Sequence, residues 1–236
     1  MRVWDISPGY LNRQSLLGEH RELHGLLNIL VHGKKGYSRH PETVRWIGCG
    51  SGLLRRHAAL AAEMRLRGYE DRTPLDAHDE AARWPAVFVT APSGQFALLR
   101  TKYAGRPPGR IRLPTSTQQL WAQHKYSVMA RDPAAYRAIG RRIARLRHRA
   151  AMDGVATELV GFLRTDPVRG RLATAVEHMW GYVRRQADPA TRRIAERSAA
   201  NMLSVTQRLA WAHDEPYLLS STALSDLAPF VTLRSA

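Results

Sequence analysis

Apolar residues recur at helical spacing along most of this 236-residue chain, and the pattern changes character near its middle. Residues 1–10 read as extended and end in the turn formers Ser7-Pro8-Gly9. Leu16, Leu23, Leu27 and Leu30, joined by Leu26 and Val31, share one face and predict a helix from about Gln14 to His32. A glycine-bounded basic loop, Gly33 to Pro41, ends it. Leu53, His57, Leu60 and Met64 form the buried stripe of a second helix, from about Leu53 to Arg67, with Ser51 as N-cap and Gly68 as stop. Residues 70–92 are irregular apart from a short strand-like run, Val87-Phe88-Val89, and Gly94 to Ala104 reads as a third helix.

Arg106-Pro107-Pro108-Gly109-Arg110 and then Pro114 break regular structure, and the domain boundary is expected there, giving domains 1–112 and 116–236. Asp132-Pro133, Asp166-Pro167 and Asp188-Pro189 mark helix starts, because the Asp side chain accepts from an orphan backbone N–H and proline has none to lose. Asp153 is expected to cap another. Helices are predicted near 116–130, 133–150, 154–165, 167–187 and 189–213, followed by a less regular tail. The expected fold is all-α: a small three-helix domain with an extended N-terminus, then a helical bundle.

Lys and Arg number 36 against 20 Asp and Glu, a formal charge of +16, which favours a polyanionic partner, nucleic acid first and an anionic membrane second. A genome-wide arginine bias would give the same excess. Cys49 is the single cysteine, which excludes an intramolecular disulfide and a cysteine-rich zinc site. With no secretory h-region and no membrane-length apolar run, a cytoplasmic, nucleoid-associated location is expected.

Gly18, Glu22 and Gly25 stand at i, i+4 and i+7 and share a face largely opposite the leucine stripe. A carboxylate between two glycines leaves room for something large to approach the helix, although an exposed helical glutamate is also ordinary surface. His20 and His24, at i and i+4, have a spacing that can chelate zinc. No third ligand is evident, and the glutamate of the zinc-protease pattern is replaced by Arg21, so no metal is assigned.

Several segments resemble the pyrimidine-dimer DNA glycosylase/AP lyase family of endonuclease V type, in its bacterial branch. Gln14-Ser15-Leu16-Leu17-Gly18-Glu19-His20-Arg21-Glu22-Leu23 is similar to its catalytic helix, and Leu53 through Tyr69 to a later one. Lys102-Tyr103-Ala104-Gly105-Arg106-Pro107 resembles its C-terminal helix end, and Met1-Arg2-Val3-Trp4 with Gly33 to Pro41 complete a match over about residues 1–110. The resemblance implies catalysis by an N-terminal α-amine and one helical glutamate, which fall on Met1 and Glu22. Arginine at position 2 is too large for normal methionine removal, so Met1 is expected to be retained. The resemblance also puts Arg2, Arg21 and Lys102 at DNA. His24, Lys34, Lys35, Arg39, Arg55, Arg56, Arg106 and Arg110 are further candidate DNA contacts.

The implied activity is excision of a damaged or modified pyrimidine from double-stranded DNA, with a UV dimer as the default substrate. An imine intermediate and β-elimination need no cofactor and no metal. Two departures weaken dimer specificity: the family's aromatic-rich tail is replaced by Pro108-Gly109-Arg110-Ile111-Arg112-Leu113, and Gly25 stands where the family has an arginine. A modified-base glycosylase in phage defence and a non-catalytic nucleic-acid-binding protein are the alternatives.

Leu120 through Arg137 and Glu177-His178-Met179-Trp180-Gly181-Tyr182-Val183 resemble the YbgA-like domain family, over about residues 116–236. That family's association with thiouracil desulfidation makes a thiolated-RNA function a further alternative. His124, Lys125, Arg137, His178 and Arg184, with Trp180, Tyr182 and Arg185, are candidate nucleic-acid contacts in this half. No membrane partner is expected, and a monomer is the default.

Overall fold

The computed structural model describes residues 2–75, 81–145 and 152–232. Helices account for the regular structure, and no strand occurs among the described residues. In the first half, α1 (Arg13–His32) packs on α3 (Gly50–Leu66), with the short α2 (Pro41–Arg45) between them in sequence and α4 (Pro92–Lys102) after them. The second half holds α5 (Thr117–Met129), α6 (Pro133–Arg145), α7 (Met152–Leu163), α8 (Arg169–Val183), α9 (Pro189–Ala195) and α10 (Ala199–Ala212). Three short helices follow: α11 (Pro216–Leu219), α12 (Ala223–Asp226) and α13 (Ala228–Thr232).

The predicted helix 133–150 is seen as α6 to Arg145; its remaining positions lie outside the described residues. Asp132 and Asp188 cap as expected, each accepting from two following N–H groups. Asp166 does not: its carboxylate goes to Arg55 at 2.8 Å, and α8 starts later, with Val168 at its N-cap. Asp153 lies inside the first turn of α7. Ser51 likewise spends its hydroxyl elsewhere, accepting from Arg83 N–H at 2.9 Å, and leaves Cys49 at the N-cap of α3. Gly68 does stop α3, at φ +76°. The predicted 189–213 helix is two, because Ser198 caps a fresh start at α10. Val87-Phe88-Val89 has no strand to pair with and is not a strand. The tail folds into α11–α13 because Leu218, Leu219, Leu224, Leu227 and Phe230 are buried.

The N-terminal segment organises the first core. Val3, Ile6, Tyr10 and Leu11 are at most 1% exposed, so the segment runs through the interior without a sheet partner; it is not extended throughout as expected, because Pro8–Tyr10 turn into a short 3-10 helix. Its buried peptide groups still need hydrogen bonds, and side chains supply them. Glu19 accepts from Trp4 N–H at 3.0 Å and Gln95 from Asp5 N–H at 2.8 Å. Arg45 donates to Val3 C=O at 2.9 Å, Arg56 to Ile6 C=O at 2.8 Å and Arg67 to Leu11 C=O at 2.7 Å. Tyr103 OH accepts from Asn12 N–H at 2.9 Å.

The same core takes Leu120, Val128, Ile139, Ile143, Leu159 and Val160 from beyond residue 116, so packing runs across the sequence boundary. Arg110 bolts the halves together: it pairs with buried Glu63 at 2.7 Å and donates to Leu219 C=O at 2.7 Å and Ser221 C=O at 3.1 Å. The guanidinium is thereby withdrawn from the phosphate contact expected of it. A second core joins α8 and α10 to Tyr126, Met129 and the terminal helices.

His124 lies at the junction, 2% exposed, against Leu120 C=O at 2.9 Å and Tyr10 OH at 3.3 Å. Burial lowers its pKa to about 4 from an ordinary 6.5. The unfolded chain therefore binds this proton first as pH falls, and the stability His124 contributes is complete above the ordinary value and lost between it and the lowered one. The difference is worth about 3 kcal/mol. Thermal melts from pH 7 to pH 4 are expected to show a falling midpoint, with a shallower fall in His124→Gln.

Candidate active site

Glu22 projects from the middle of α1, and the N-terminal segment is carried to it by the buried hydrogen bonds described above. The Arg2 backbone N–H donates to Glu22 Oε2 at 2.5 Å. Arg2 is bonded to Met1, which itself lies outside the described residues. The Arg2 guanidinium lies 5.1 Å from the Trp4 ring centroid and reaches Thr90 Oγ1 at 3.3 Å. A cleft of about 440 Å³ opens here, bounded by Arg2, Trp4 and Glu22 and, across from α1, by Leu98, Thr101 and Lys102 of α4. That volume is in the range used by small-ligand sites. Gly18 forms part of the wall, and a Cβ placed on it would meet nothing within 4 Å, so the glycine keeps the helix surface open beside Glu22. Gly25 also faces open space, but it does not line the cleft.

Glu19, one turn before Glu22, is the residue that periodicity did not single out. It lines the same cleft, yet its side chain is fully buried. Arg56 binds it through Nε and Nη2, each at 2.8 Å. Burial pushes the Glu19 carboxyl pKa up, against the pull of Arg56 and the Trp4 N–H. Two carboxylates one turn apart thus have different tasks: Glu19 anchors the chain, and Glu22 is part-exposed at its end.

Arg21 and Arg106 do not enter this cleft. They line its neighbour, a groove of about 400 Å³ that shares Gln14 with it and adds Arg13. Lys34, Lys35 and Arg39 are exposed on the loop after α1, whose end lies roughly 15 Å beyond Glu22 at helical rise. These cations therefore form a spread of positive surface around the Glu22 cleft.

Three expected contacts are corrected. Arg56 is 5% exposed and committed to Glu19 and Ile6, and Arg55 is held by Asp166. His24 turns to His57 at 3.2 Å and Thr73 at 3.1 Å rather than toward the cleft. In the second half, His124 is buried and Trp180 is a core residue. Lys125 lies over Tyr126 and Tyr217, its Nζ 4.8 and 4.7 Å from their centroids. Tyr182 stacks on Tyr217 at 4.8 Å, and exposed His178 stacks on Tyr126 at 6.3 Å. Arg137 and Arg185 are exposed, and Arg184 faces Glu196 at 3.4 Å.

No curated protein and no solved structure matches the chain. Among the described residues, no helix is long and apolar enough to cross a membrane. Family models match two separate segments, residues 1–77 and residues 125–226. The chain thus joins a segment that matches the pyrimidine dimer DNA glycosylase family to one that matches a family described as a protein of unknown function (DUF1722), the YbgA-like family.

Proposed function

We propose that the protein is a bifunctional DNA glycosylase/AP lyase acting on a damaged or modified pyrimidine in duplex DNA, with the Met1 α-amine as nucleophile and Glu22 as the essential carboxylate. The observation that carries this reading is the Arg2 N–H bond to Glu22, 2.5 Å, at the mouth of an open cleft. It brings the N-terminal end of the chain and a carboxylate to one place, in a segment that matches a glycosylase family.

An α-amine has an ordinary pKa near 8, roughly two units below lysine, so more of it is neutral at pH 7. The neutral amine attacks C1′ of the deoxyribose, and the C1′–N bond to the base breaks. Loss of the amine proton and ring opening give an imine. A base, in this reading Glu22, removes a C2′ proton; the electron pair forms the C2′–C3′ double bond and expels the 3′ phosphate. Water then hydrolyses the imine and frees the amine.

Extrusion of the target nucleotide costs least at a lesion. Arg2, Lys102, Arg21, Arg106, Lys34, Lys35 and Arg39 supply the phosphate contacts. Residues 1–112 and 116–236 are, in this reading, two modules, the second buttressing the first through Arg110 and α5–α7.

The test is cleavage of a duplex with one abasic site by the chain ending in a free Met1 amine and by the same chain with that amine acetylated or extended by a tag. The free chain cleaves and the blocked chain does not. Equal turnover by both would overturn the assignment of Met1 and point to a lysine, Lys102 first.

A further inference from the structure

Three imidazoles meet on the side of α1 away from the Glu22 cleft. His20 and His24 stand one turn apart on α1, and His57 faces them from α3. Their ring centroids form a near-equilateral triangle of 4.8, 4.8 and 4.9 Å. One ligand atom from each lies within 4.8 Å of the others. Asp71, from the loop after α3, closes the group, its Oδ1 3.2 Å from His20 Nε2 and its Oδ2 3.7 Å from His57 Nε2.

We propose that His20, His24, His57 and Asp71 bind one zinc-type divalent cation that clamps α1 to α3 and the loop at Asp71. The inference stands apart from the proposed lyase chemistry, which uses the other face of α1.

The geometry suits that cation. Zinc bonds imidazole nitrogen at about 2.0–2.1 Å, which puts two tetrahedral ligands about 3.3 Å apart. His24 Nε2 and His57 Nε2 are 3.2 Å apart, and His20 Nε2 and Asp71 Oδ1 are also 3.2 Å apart. Two edges of a tetrahedron are therefore already at length, and the three imidazoles offer ligand atoms within 4.8 Å of one another. In neutral imidazoles, Nε2 atoms facing each other need a proton between them, and a cation fills the same space while attracting both lone pairs. Three nitrogens and one carboxylate oxygen give a closed set of four, as in structural zinc sites, with no open position for a substrate. The carboxylate is itself oriented: Thr73 N–H donates to Asp71 Oδ1 at 3.0 Å.

Glu22 lies between the two α1 ligands in sequence and projects to the other side. A cation here would fix the rotation of α1 about its own axis and so the direction in which Glu22 points.

The test uses the untagged full-length chain, because a polyhistidine tag would bind the same ions. Elemental analysis after purification without chelator is expected to give about one zinc per chain. Titration with Co²⁺ is expected to give the strong visible absorption of four-coordinate cobalt, and added zinc to raise the melting temperature. His24→Ala, at a half-exposed position, and Asp71→Ala are expected to bind at least about 100-fold more weakly, with helix content by circular dichroism unchanged. A folded wild-type chain that retains no zinc and takes up neither ion at stoichiometric concentration overturns the proposal. So does a folded His24→Ala chain that binds as tightly as wild type.

Discussion

Glu22→Gln is expected to lower cleavage of an abasic duplex by about 10²–10⁴-fold, the range typical of a positioned acid–base group. The substitution keeps the shape of the side chain, and the amide oxygen can still accept the Arg2 N–H that Glu22 accepts at 2.5 Å. The fold is therefore expected to survive, with an unchanged circular dichroism spectrum and melting temperature. In the proposed mechanism, what is lost is the negative charge that would steady the cationic imine and the base that would take the C2′ proton. Single-turnover cleavage isolates the chemical step from product release. A Glu22→Gln chain that cleaves within a few-fold of wild type would remove Glu22 from the mechanism.

Arg56→Ala is expected to destabilise the fold by about 3–5 kcal/mol, because it leaves a buried carboxylate without its cation. The Glu19 side chain is 0% exposed and that of Arg56 5%. Arg56 also serves Ile6 C=O at 2.8 Å, so its loss orphans a backbone acceptor of the threaded N-terminal segment as well. For a chain of this size the melting temperature is expected to fall on the order of 10 °C. Arg56→Lys is expected to fall between, since an ammonium cannot bond both Glu19 oxygens and the Ile6 carbonyl in one planar fork. A loss below about 1 kcal/mol in Arg56→Ala, typical of surface pairs, would contradict the description of this pair as the anchor of the N-terminal segment.

Arg56 also illustrates what the sequence does not disclose. Arginines on a helix of a chain with charge +16 read as surface for a polyanion, and Arg55, Arg56 and Arg110 were expected there. Each is turned inward by a demand that local pattern does not carry. An extended segment crossing the core needs donors for its carbonyls, and the junction between the halves needs a partner for Glu63. Elements governed by local rules were legible: the stripe of α1, of which Leu16, Leu23 and Leu26 are buried while Val31 is left 66% exposed, the Gly68 stop, and the caps Asp132 and Asp188. Rules with a distant competitor failed, as at Asp166, whose oxygen prefers Arg55 to its own helix start. The break between α9 and α10 was missed: a single helix 189–213 was expected, and the Ser198 side chain starts a second one by accepting from Asn201 N–H.

The candidate site divides in the same way. Glu22 beside a clear glycine face could be read from α1 alone, but its link to the start of the chain came from family resemblance. Glu19 was missed because a second glutamate on a helix carries no mark of burial. The histidine pair was visible at i and i+4, whereas His57 and Asp71 are brought to it only by the packing of α3 on α1.

Imine formation between DNA and an N-terminal amine opposite Glu22 is tested by borohydride reduction during reaction with an abasic duplex, followed by mass mapping of the cross-linked peptide. A covalent adduct is expected on the Met1 amine, absent or weak in Glu22→Gln. No adduct with abasic or irradiated DNA, or an adduct on a lysine with Met1 unmodified, would contradict it.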